Sequence, residues 1–198
     1  MDRRFALDIE EKFVTVPARV LQGQDLYTLF TSMFMHAGWF HLLGNMLFLF
    51  VFGDNIEDAF GHFTYLGLYI LCGLAATFAY ITSLVLAPTI YNILPIGISS
   101  DLNSGLLGAS GAISGVLGAY IVLYPRAGVV TLLFFFALPL PAIVFLGIWF
   151  ILQWVYGLFD PLSQVAYFAH IGGFIVGMIL AQTVGKRKKK AREARLRL

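Results

Sequence analysis

Ser110 and His170 are two side chains that together could act on a carbonyl group. Ser110 lies in the uncharged stretch GLLGASGAISGVLGAY, residues 105–120, and His170 lies in the stretch AHIGGFIVG. A serine hydroxyl is a weak nucleophile until a neighbouring base takes its proton, and histidine suits that task near neutral pH. The two residues therefore predict a nucleophile and its base.

Three further groups could stabilise the oxyanion that forms when a carbonyl is attacked. His41 and Asn45 are four residues apart, so one face of a helix would present an imidazole and an amide together. The backbone N–H of Ser110 would add a donor if the serine begins a helix, where N–H groups lack partners. Such preorganised donors contribute roughly 3 to 4 kcal/mol each to catalysis.

Glycines recur at intervals of four in both stretches. Gly111 and Gly115 follow the serine, and Gly173 and Gly177 follow the histidine. Small residues at this spacing let two membrane helices approach closely. Each pattern alone is typical of ordinary helix packing, but together they would bring the serine to the histidine.

The sequence gives little support to metal or acid-based chemistry. No H-E-x-x-H run is present, and His36 and His41 are five residues apart, which does not place both on one helix face. The acidic residues Asp54, Glu57 and Asp58 lie at the opposite end of their apolar run from His41. We expect no metal, no cofactor, and a serine–histidine dyad without an acidic third member.

Composition places the chain in a membrane. Of its 198 residues, 59% are hydrophobic and 12% are charged, and the mean hydropathy is +0.83. Too little polar surface remains for a water-soluble domain. We predict an all-α polytopic membrane protein, with residues 129–137 as a loop or interfacial segment before the fourth span. Five apolar runs suit helices that cross about 30 Å of hydrocarbon: residues 39–58, 63–86, 107–124, 140–157 and 166–184.

Basic residues set the expected orientation. The tail GKRKKKAREARLRL carries eight of the thirteen Lys and Arg residues, which marks it as cytoplasmic. Five spans then put the N-terminal region outside and the candidate site residues at the outer ends of their spans. We expect the tail to contact anionic lipid and not nucleic acid, in the plasma membrane. Three regions follow: an outer loop region 1–38, a membrane core 39–184 and a basic cytoplasmic tail 185–198.

Several separated motifs resemble those of the rhomboid intramembrane serine proteases. They are TSMFMHAGWFHLLGNMLFLFVFGDNIEDAFG, GASGAISG, YPRA and AHIGGFIVG. The resemblance implies a rhomboid-like helical bundle in which Ser110 is the nucleophile and His170 is the base. It places His41 and Asn45 on the oxyanion and substrate-binding side. It gives structural roles to His36, Glu57 and Gly61.

The resemblance also implies an activity, the cleavage of transmembrane segments of other membrane proteins near the outer face. Ser110 would attack a peptide bond, an acyl-enzyme would form, and water would hydrolyse it. Substrates would carry a small residue before the cut and helix-weakening residues near it, because a regular helix hides its carbonyls. Pro139, Pro141 and the fourth span resemble the family's lateral gate, and FDPLSQVAYF, residues 159–168, resembles its capping loop.

The sequence departs from the family pattern at three places. The family's first helix, which precedes the outer loop, has no counterpart here, so we expect either a chain that starts late or a five-span form. The fourth residue after the serine, often an aromatic that packs on the base, is Ser114. The Trp-Arg pair common in the outer loop is replaced by Tyr27 and Thr28.

The alternative to a protease is a catalytically idle rhomboid-like protein that binds transmembrane helices. An idle relative need not keep Ser110, His170, Asn45 and His41, and all four are present. That set favours the protease, while the missing first helix favours the idle relative. A transporter or a purely structural bundle would explain the glycines but not the cluster of donors. The oligomeric state is left open.

Overall fold

The N-terminal segment, residues 12–34, is tied to the residues that lead into Ser110. Thr15 exchanges two backbone hydrogen bonds with Leu106, of 3.1 and 2.8 Å, and the Gly108 N–H donates to the Ser32 carbonyl at 2.9 Å. The segment contains α1 (Pro17–Leu21), α2 (Thr28–Thr31) and a 3-10 turn (Ser32–Phe34). The computed structural model describes residues 12–94, 97–133, 136–160 and 162–196.

The N-terminal segment has hydrogen bonds of its own around Tyr27 and Thr28. The Tyr27 hydroxyl donates to the Lys12 carbonyl at 2.8 Å, and Thr28 Oγ1 donates to the Asp25 carbonyl at 2.7 Å. The fully buried Thr15 donates through Oγ1 to the Thr28 carbonyl at 2.8 Å. These bonds hold the segment where the sequence lacks the family's Trp-Arg pair.

Five helices form the body of the part of the chain that the structure describes. Their bounds are α3 Trp39–Phe60, α4 His62–Ile93, α5 Ser110–Leu123, α6 Ala142–Phe159 and α7 Tyr167–Leu180. Within the described residues, four helices are long and apolar enough to cross a membrane: α3, α4, α6 and the continuous helical run Tyr167–Ala194, which begins with α7. Helix α5 is a shorter apolar helix. The predicted all-α, multi-pass membrane bundle is confirmed.

Helix α4 continues past the predicted end of the second span at residue 86. It passes through Pro88 and ends at Ile93. Proline removes one intrahelical hydrogen bond, but the following turn is kept, because the Leu94 N–H donates to the Ile90 carbonyl at 2.8 Å. The apolar run alone could not predict this extension.

Helix α5 is the centre of the bundle. Eleven of its 14 residues are buried, and it packs against α3, α4, α6 and α7. At about 1.5 Å per residue it is roughly 21 Å long, which is less than the roughly 30 Å of a hydrocarbon layer. The predicted span 107–124 began too early, because Gly108 has a φ of +119° and cannot belong to a right-handed helix. A helix this short is possible because α5 meets neighbouring helices and not lipid.

Residues 129–133 and 136–137, expected to belong to a loop or interfacial segment, lie in two paired β-strands. Strand β1 (Gly128–Leu133) pairs antiparallel with β2 (Phe136–Pro141), in a register that runs from Gly128 opposite Pro141 to Leu133 opposite Phe136. The strand β2 has an open edge, and prolines two residues apart can both put their missing N–H there. The segment is non-helical and leads into α6, as expected, but the pairing of its two strands was not predicted.

The basic tail forms a helix that docks on the bundle. A π-helical turn (Ala181–Gly185) joins α7 to α8 (Lys186–Leu196). Lys188 Nζ donates to the carbonyl of the last residue of α3 at 3.1 Å, and Lys189 Nζ donates to that of the last residue of α5 at 2.8 Å. Arg192 pairs with the Asp58 carboxylate at 3.0 Å. The last carbonyls of a helix have no intrahelical donors, so these cations act as caps.

Candidate active site

The structure brings Ser110 and His170 into contact. Ser110 is the first residue of α5, and His170 lies in the first turn of α7. His170 Nε2 and Ser110 Oγ are 2.8 Å apart, although sixty residues separate them in the sequence. This is the distance at which an imidazole nitrogen can take the proton of a hydroxyl.

The glycines of α7 set its distance from α5. A methyl group placed on Gly173 would fall on the Gly111 carbonyl oxygen, and one placed on Gly177 would fall on the Gly115 carbonyl oxygen. The two backbones therefore touch without intervening side chains, which is the arrangement that brings Ser110 within reach of His170.

The glycines of α5 also allow α4 to pack closely against it. A methyl group on Gly111 would lie 2.6 Å from the Ala76 methyl, and one on Gly115 would overlap the side chain of Cys72. Small residues thus surround the first turns of α5 on two sides. The position of the serine is fixed by two helix contacts rather than one.

His41, in the first turn of α3, lies beside the chain that enters Ser110. A methyl group on Gly108 would be 2.9 Å from His41 Nε2 and 3.8 Å from Ser110 Oγ. His41 Nδ1 accepts a hydrogen bond from the Ala37 N–H at 3.4 Å. In a neutral ring the hydrogen is then on Nε2, so His41 presents a donor toward the serine.

Asn45 lies one turn further along α3 and lines the same cavity as Ser110, His41 and His170. The cavity has a volume of about 1000 Å³. Asn45 is 7% exposed, and its Nδ2 has no hydrogen-bond partner among the described residues. A buried donor without an acceptor is unusual in proteins, and here it is available to a ligand.

The arrangement can support nucleophilic attack with charge stabilisation. The first N–H groups of α5, including that of Ser110, have no intrahelical acceptors and lie at the positive end of the helix dipole. With His41 and Asn45 they supply donors around one hydroxyl. Within the described residues, no group of three His, Cys, Asp or Glu side chains is placed to hold a metal ion.

Gln153, on α6, was missed by the analysis of the sequence. Its Oε1 is 2.8 Å from His170 Nδ1, and its Nε2 donates to the Trp149 carbonyl at 3.2 Å. The expected dyad therefore has a third side chain, a neutral amide, against the second nitrogen of the histidine. One signal could have found it, because Gln153 is a lone polar group in the apolar run IWFILQWVYGLF.

Trp149 supplies an aromatic neighbour for His170. The two ring centroids are 5.9 Å apart, with an angle of 32° between the ring planes. Ser114, at the position where the family comparison suggested an aromatic, instead donates through Oγ to the Ser110 carbonyl at 2.7 Å. The aromatic contact thus comes from α6 rather than from α5.

His36, Glu57 and Gly61 lie outside this cluster. The His36 ring packs edge-on against His41 with centroids 5.2 Å apart, in the loop before α3. Glu57 Oε1 is 2.6 Å from His62 Nδ1, at the other end of α3. Gly61 joins α3 to α4 with a φ of +77°, a conformation that favours glycine.

Residues of the expected capping loop border the cavity. Leu162, Ser163 and Val165 are among its lining residues, as are His170 and Trp149. The loop precedes α7 directly, so it lies on the Ser110 side of the bundle. Pro161, part of the same motif, lies outside the described residues.

The chain is similar to known proteins over most of its length. A family model of the Rhomboid domain matches residues 23–187. RHOMBOID-like protein 1 of Arabidopsis thaliana is 31% identical over 185 residues, which cover 88% of this chain and 39% of the relative. RHOMBOID-like protein 12, mitochondrial, of the same plant is 34% identical over 155 residues, covering 78% of this chain and 45% of the relative.

A yeast protein gives a similar match. Rhomboid protein 1, mitochondrial, of Saccharomyces cerevisiae is 31% identical over 172 residues, which cover 83% of this chain and 44% of the relative. The chain thus spans less than half the length of these three relatives. The domain match, which includes α3 to α7 and every candidate site residue, identifies the chain as a member of the rhomboid family.

Proposed function

We propose that this protein is an intramembrane serine endopeptidase in which Ser110 is the nucleophile and His170 the general base. The observation that carries the proposal is the 2.8 Å contact between Ser110 Oγ and His170 Nε2 at a cavity inside a membrane bundle. Rhomboid family membership supports the same class of chemistry. No metal or cofactor is required for it.

The proposed reaction has two halves. Ser110 Oγ attacks the carbonyl carbon of the scissile peptide while His170 Nε2 takes the hydroxyl proton. The tetrahedral intermediate carries its negative charge on the former carbonyl oxygen, where His41, Asn45 and the Ser110 N–H donate hydrogen bonds. His170 then gives the proton to the leaving amine nitrogen, and the C–N bond breaks. In the second half, water attacks the acyl-enzyme with His170 again as the base, which releases the acid.

Transmembrane proteins are the proposed substrates. A peptide bond can reach Ser110 only if its carbonyl is free of helical hydrogen bonds. Segments with helix-weakening residues near the cut, and with a small residue before it, satisfy that requirement. Membrane lipid is the other expected partner, at the apolar outer faces of α3 and α6, where residues such as Phe50 and Ile151 are exposed.

Cleavage by a lipid-reconstituted sample tests the activity. Wild type is expected to cut a single-span substrate, and Ser110→Ala is expected to reduce the rate by about 1000-fold or more. Ser100→Ala, at an exposed serine in the loop before α5, is the matched control and should keep the wild-type rate. Equal rates for wild type and Ser110→Ala would contradict the protease. Co-purification of intact substrate would then support the idle, helix-binding relative.

The proposed orientation puts the C-terminus in the cytoplasm and the site toward the outer face of the plasma membrane. It is supported by the eight basic residues that follow α7. Single cysteines at Asn103→Cys and Ala191→Cys, both exposed positions, test it in a Cys72→Ala background. A membrane-impermeant maleimide added to intact cells should label the first variant and not the second. Labelling of the second alone would reverse the orientation, and labelling of neither would contradict the plasma membrane.

A further inference from the structure

We propose that Gln153 is a positioning residue that fixes the tautomer of His170, and this rests on the proposed function. His170 must present a lone pair, not a hydrogen, at the nitrogen that faces Ser110. The ring itself does not decide this, because a neutral imidazole can carry its hydrogen on either nitrogen. The neighbours of its second nitrogen decide it, and Gln153 is that neighbour.

The first step fixes the orientation of the Gln153 amide. One end of this amide is 3.2 Å from the Trp149 carbonyl oxygen, one helical turn earlier on α6. A carbonyl oxygen only accepts hydrogen bonds, so the NH₂ group must face it. The opposite orientation would place two acceptors, the amide oxygen and the Trp149 carbonyl oxygen, against each other. The amide oxygen of Gln153 therefore faces His170.

The second step fixes the hydrogen of His170. Gln153 Oε1 lies 2.8 Å from His170 Nδ1, and an amide oxygen can only accept. The hydrogen of the neutral ring is therefore on Nδ1, and Nε2 carries the lone pair. That lone pair faces Ser110 Oγ at 2.8 Å. A chain of donors runs in one direction, from Ser110 to His170, from His170 to Gln153 and from Gln153 to the Trp149 carbonyl.

Burial keeps other hydrogen-bond partners, such as water, away from this chain of hydrogen bonds. Gln153 is 6% exposed, and the Trp149 ring covers the imidazole. A neutral amide performs this task without placing a charge within an apolar helix. The other titratable group near His170 is His41 from α3.

The tautomer can be measured without any cleavage. Nitrogen NMR of ¹⁵N-histidine-labelled protein in lipid, with the His170 signals assigned by their loss in His170→Ala, is the first test. We expect hydrogen on Nδ1 alone in the wild type and a mixture of both tautomers in Gln153→Met. Hydrogen on Nε2 in the wild type, or an unchanged Nδ1–H form in Gln153→Met, would overturn the proposal.

Kinetics provide the second test. Gln153→Met should lower kcat by about 10- to 100-fold with little change in KM, because the base loses its correct form in part of the molecules. Gln153→Glu keeps the acceptor and adds a charge that favours the imidazolium. The acidic limb of its pH–rate profile should therefore move upward by about 1 to 3 pH units, with activity recovered above that limb.

Gln182→Met, at an exposed glutamine in the π-helical turn, is the control and should match the wild type. A merely structural role would lower thermal stability in both Gln153 variants without moving the pH–rate profile, and that result would contradict the proposal. The proposed protease activity and the proposed role of Gln153 can be refuted independently. If wild type and Ser110→Ala cleave equally, the protease is refuted, while the NMR measurement still decides the role of Gln153.

Discussion

Asn45 and Ser114 are both buried polar side chains near Ser110, and they are satisfied in different ways. The Ser114 hydroxyl donates to the Ser110 carbonyl within α5. The Asn45 Nδ2 has no partner among the described residues, a condition that costs about 1 to 3 kcal/mol. The unpaired Asn45 amide does not stabilise the fold, which is consistent with a role in binding.

Replacement of Asn45 should therefore separate stability from activity. In Asn45→Leu, a side chain of similar shape, we expect the unfolding temperature in detergent to be equal or higher, because an unpaired donor is removed. We expect kcat to fall by about 100- to 1000-fold, as for other lost oxyanion donors. Thermal unfolding and cleavage of a single-span substrate measure the two effects. A large loss of stability would show that Asn45 holds the fold instead.

His36 should make stability depend on pH. Burial and, second, the charge of the neighbouring His41 lower the pKa of His36 from its ordinary value of 6.5, against a hydrogen bond with the Phe34 backbone. The unfolded chain therefore binds a proton more readily than the folded one. The contribution of His36 to the free energy of unfolding is fully present above about pH 6.5, the ordinary pKa of histidine. It is lost as the pH falls through the lower pKa of His36 in the folded protein.

A variant without this titration tests the effect. We expect the unfolding temperature of the wild type to fall between about pH 7.5 and about pH 5 by more than that of His36→Phe, which keeps a ring of similar size. An equal fall in both proteins would show that His36 does not contribute.

At the scale of helices and strands, apolar length predicted most of the architecture. The bounds of α3, α6 and α7 lie close to the predicted spans, because lipid-facing helices need long apolar runs. A non-helical segment before α6 was predicted, but the pairing of its two strands was not, because a short apolar run does not indicate its pairing partner. The true start of α5 was missed because Gly108 adopts a positive φ. There its N–H donates a hydrogen bond to the carbonyl of Ser32, which is distant in the sequence.

Contact between α5 and α7 should be sensitive to a single methyl group. Gly177→Ala would put that group on the Gly115 carbonyl oxygen, so we expect a loss of roughly 1 to 3 kcal/mol from overpacking. Gly147→Ala, on α6 with open space around it, is the control and should be neutral or slightly stabilising. Unfolding in mild detergent measures both variants. Equal stability of the two would show that the helices separate without cost.

Sequence patterns identify some residues of the candidate site and not others. Ser110, His170, His41 and Asn45 were each proposed as candidates from residue type and spacing. Gln153 was not, because its partner lies on another helix and no periodic pattern links the two. A pairing between helices depends on how the helices pack, which the spacing within either helix does not determine.

At the scale of the whole molecule, α8 connects the carboxyl ends of α3 and α5. Lys189 donates to the Leu123 carbonyl and lies 3.8 Å from the centroid of the Tyr124 ring. Lys189→Met should lower stability by about 1 kcal/mol, through the loss of a helix cap and a cation–π contact. Lys190→Met, at the exposed neighbouring position, is the control. An equal effect of both variants on the unfolding temperature would exclude a specific cap.

The docking of α8 has a consequence for the order in which the molecule is made. A ribosome delivers the chain from its N-terminus, so α3 and α5 enter the membrane long before Lys188 and Lys189 are synthesised. Until then the last carbonyls of both helices lack their side-chain caps. The carboxyl ends of α3 and α5 therefore receive these caps only after the whole of α7 has been synthesised.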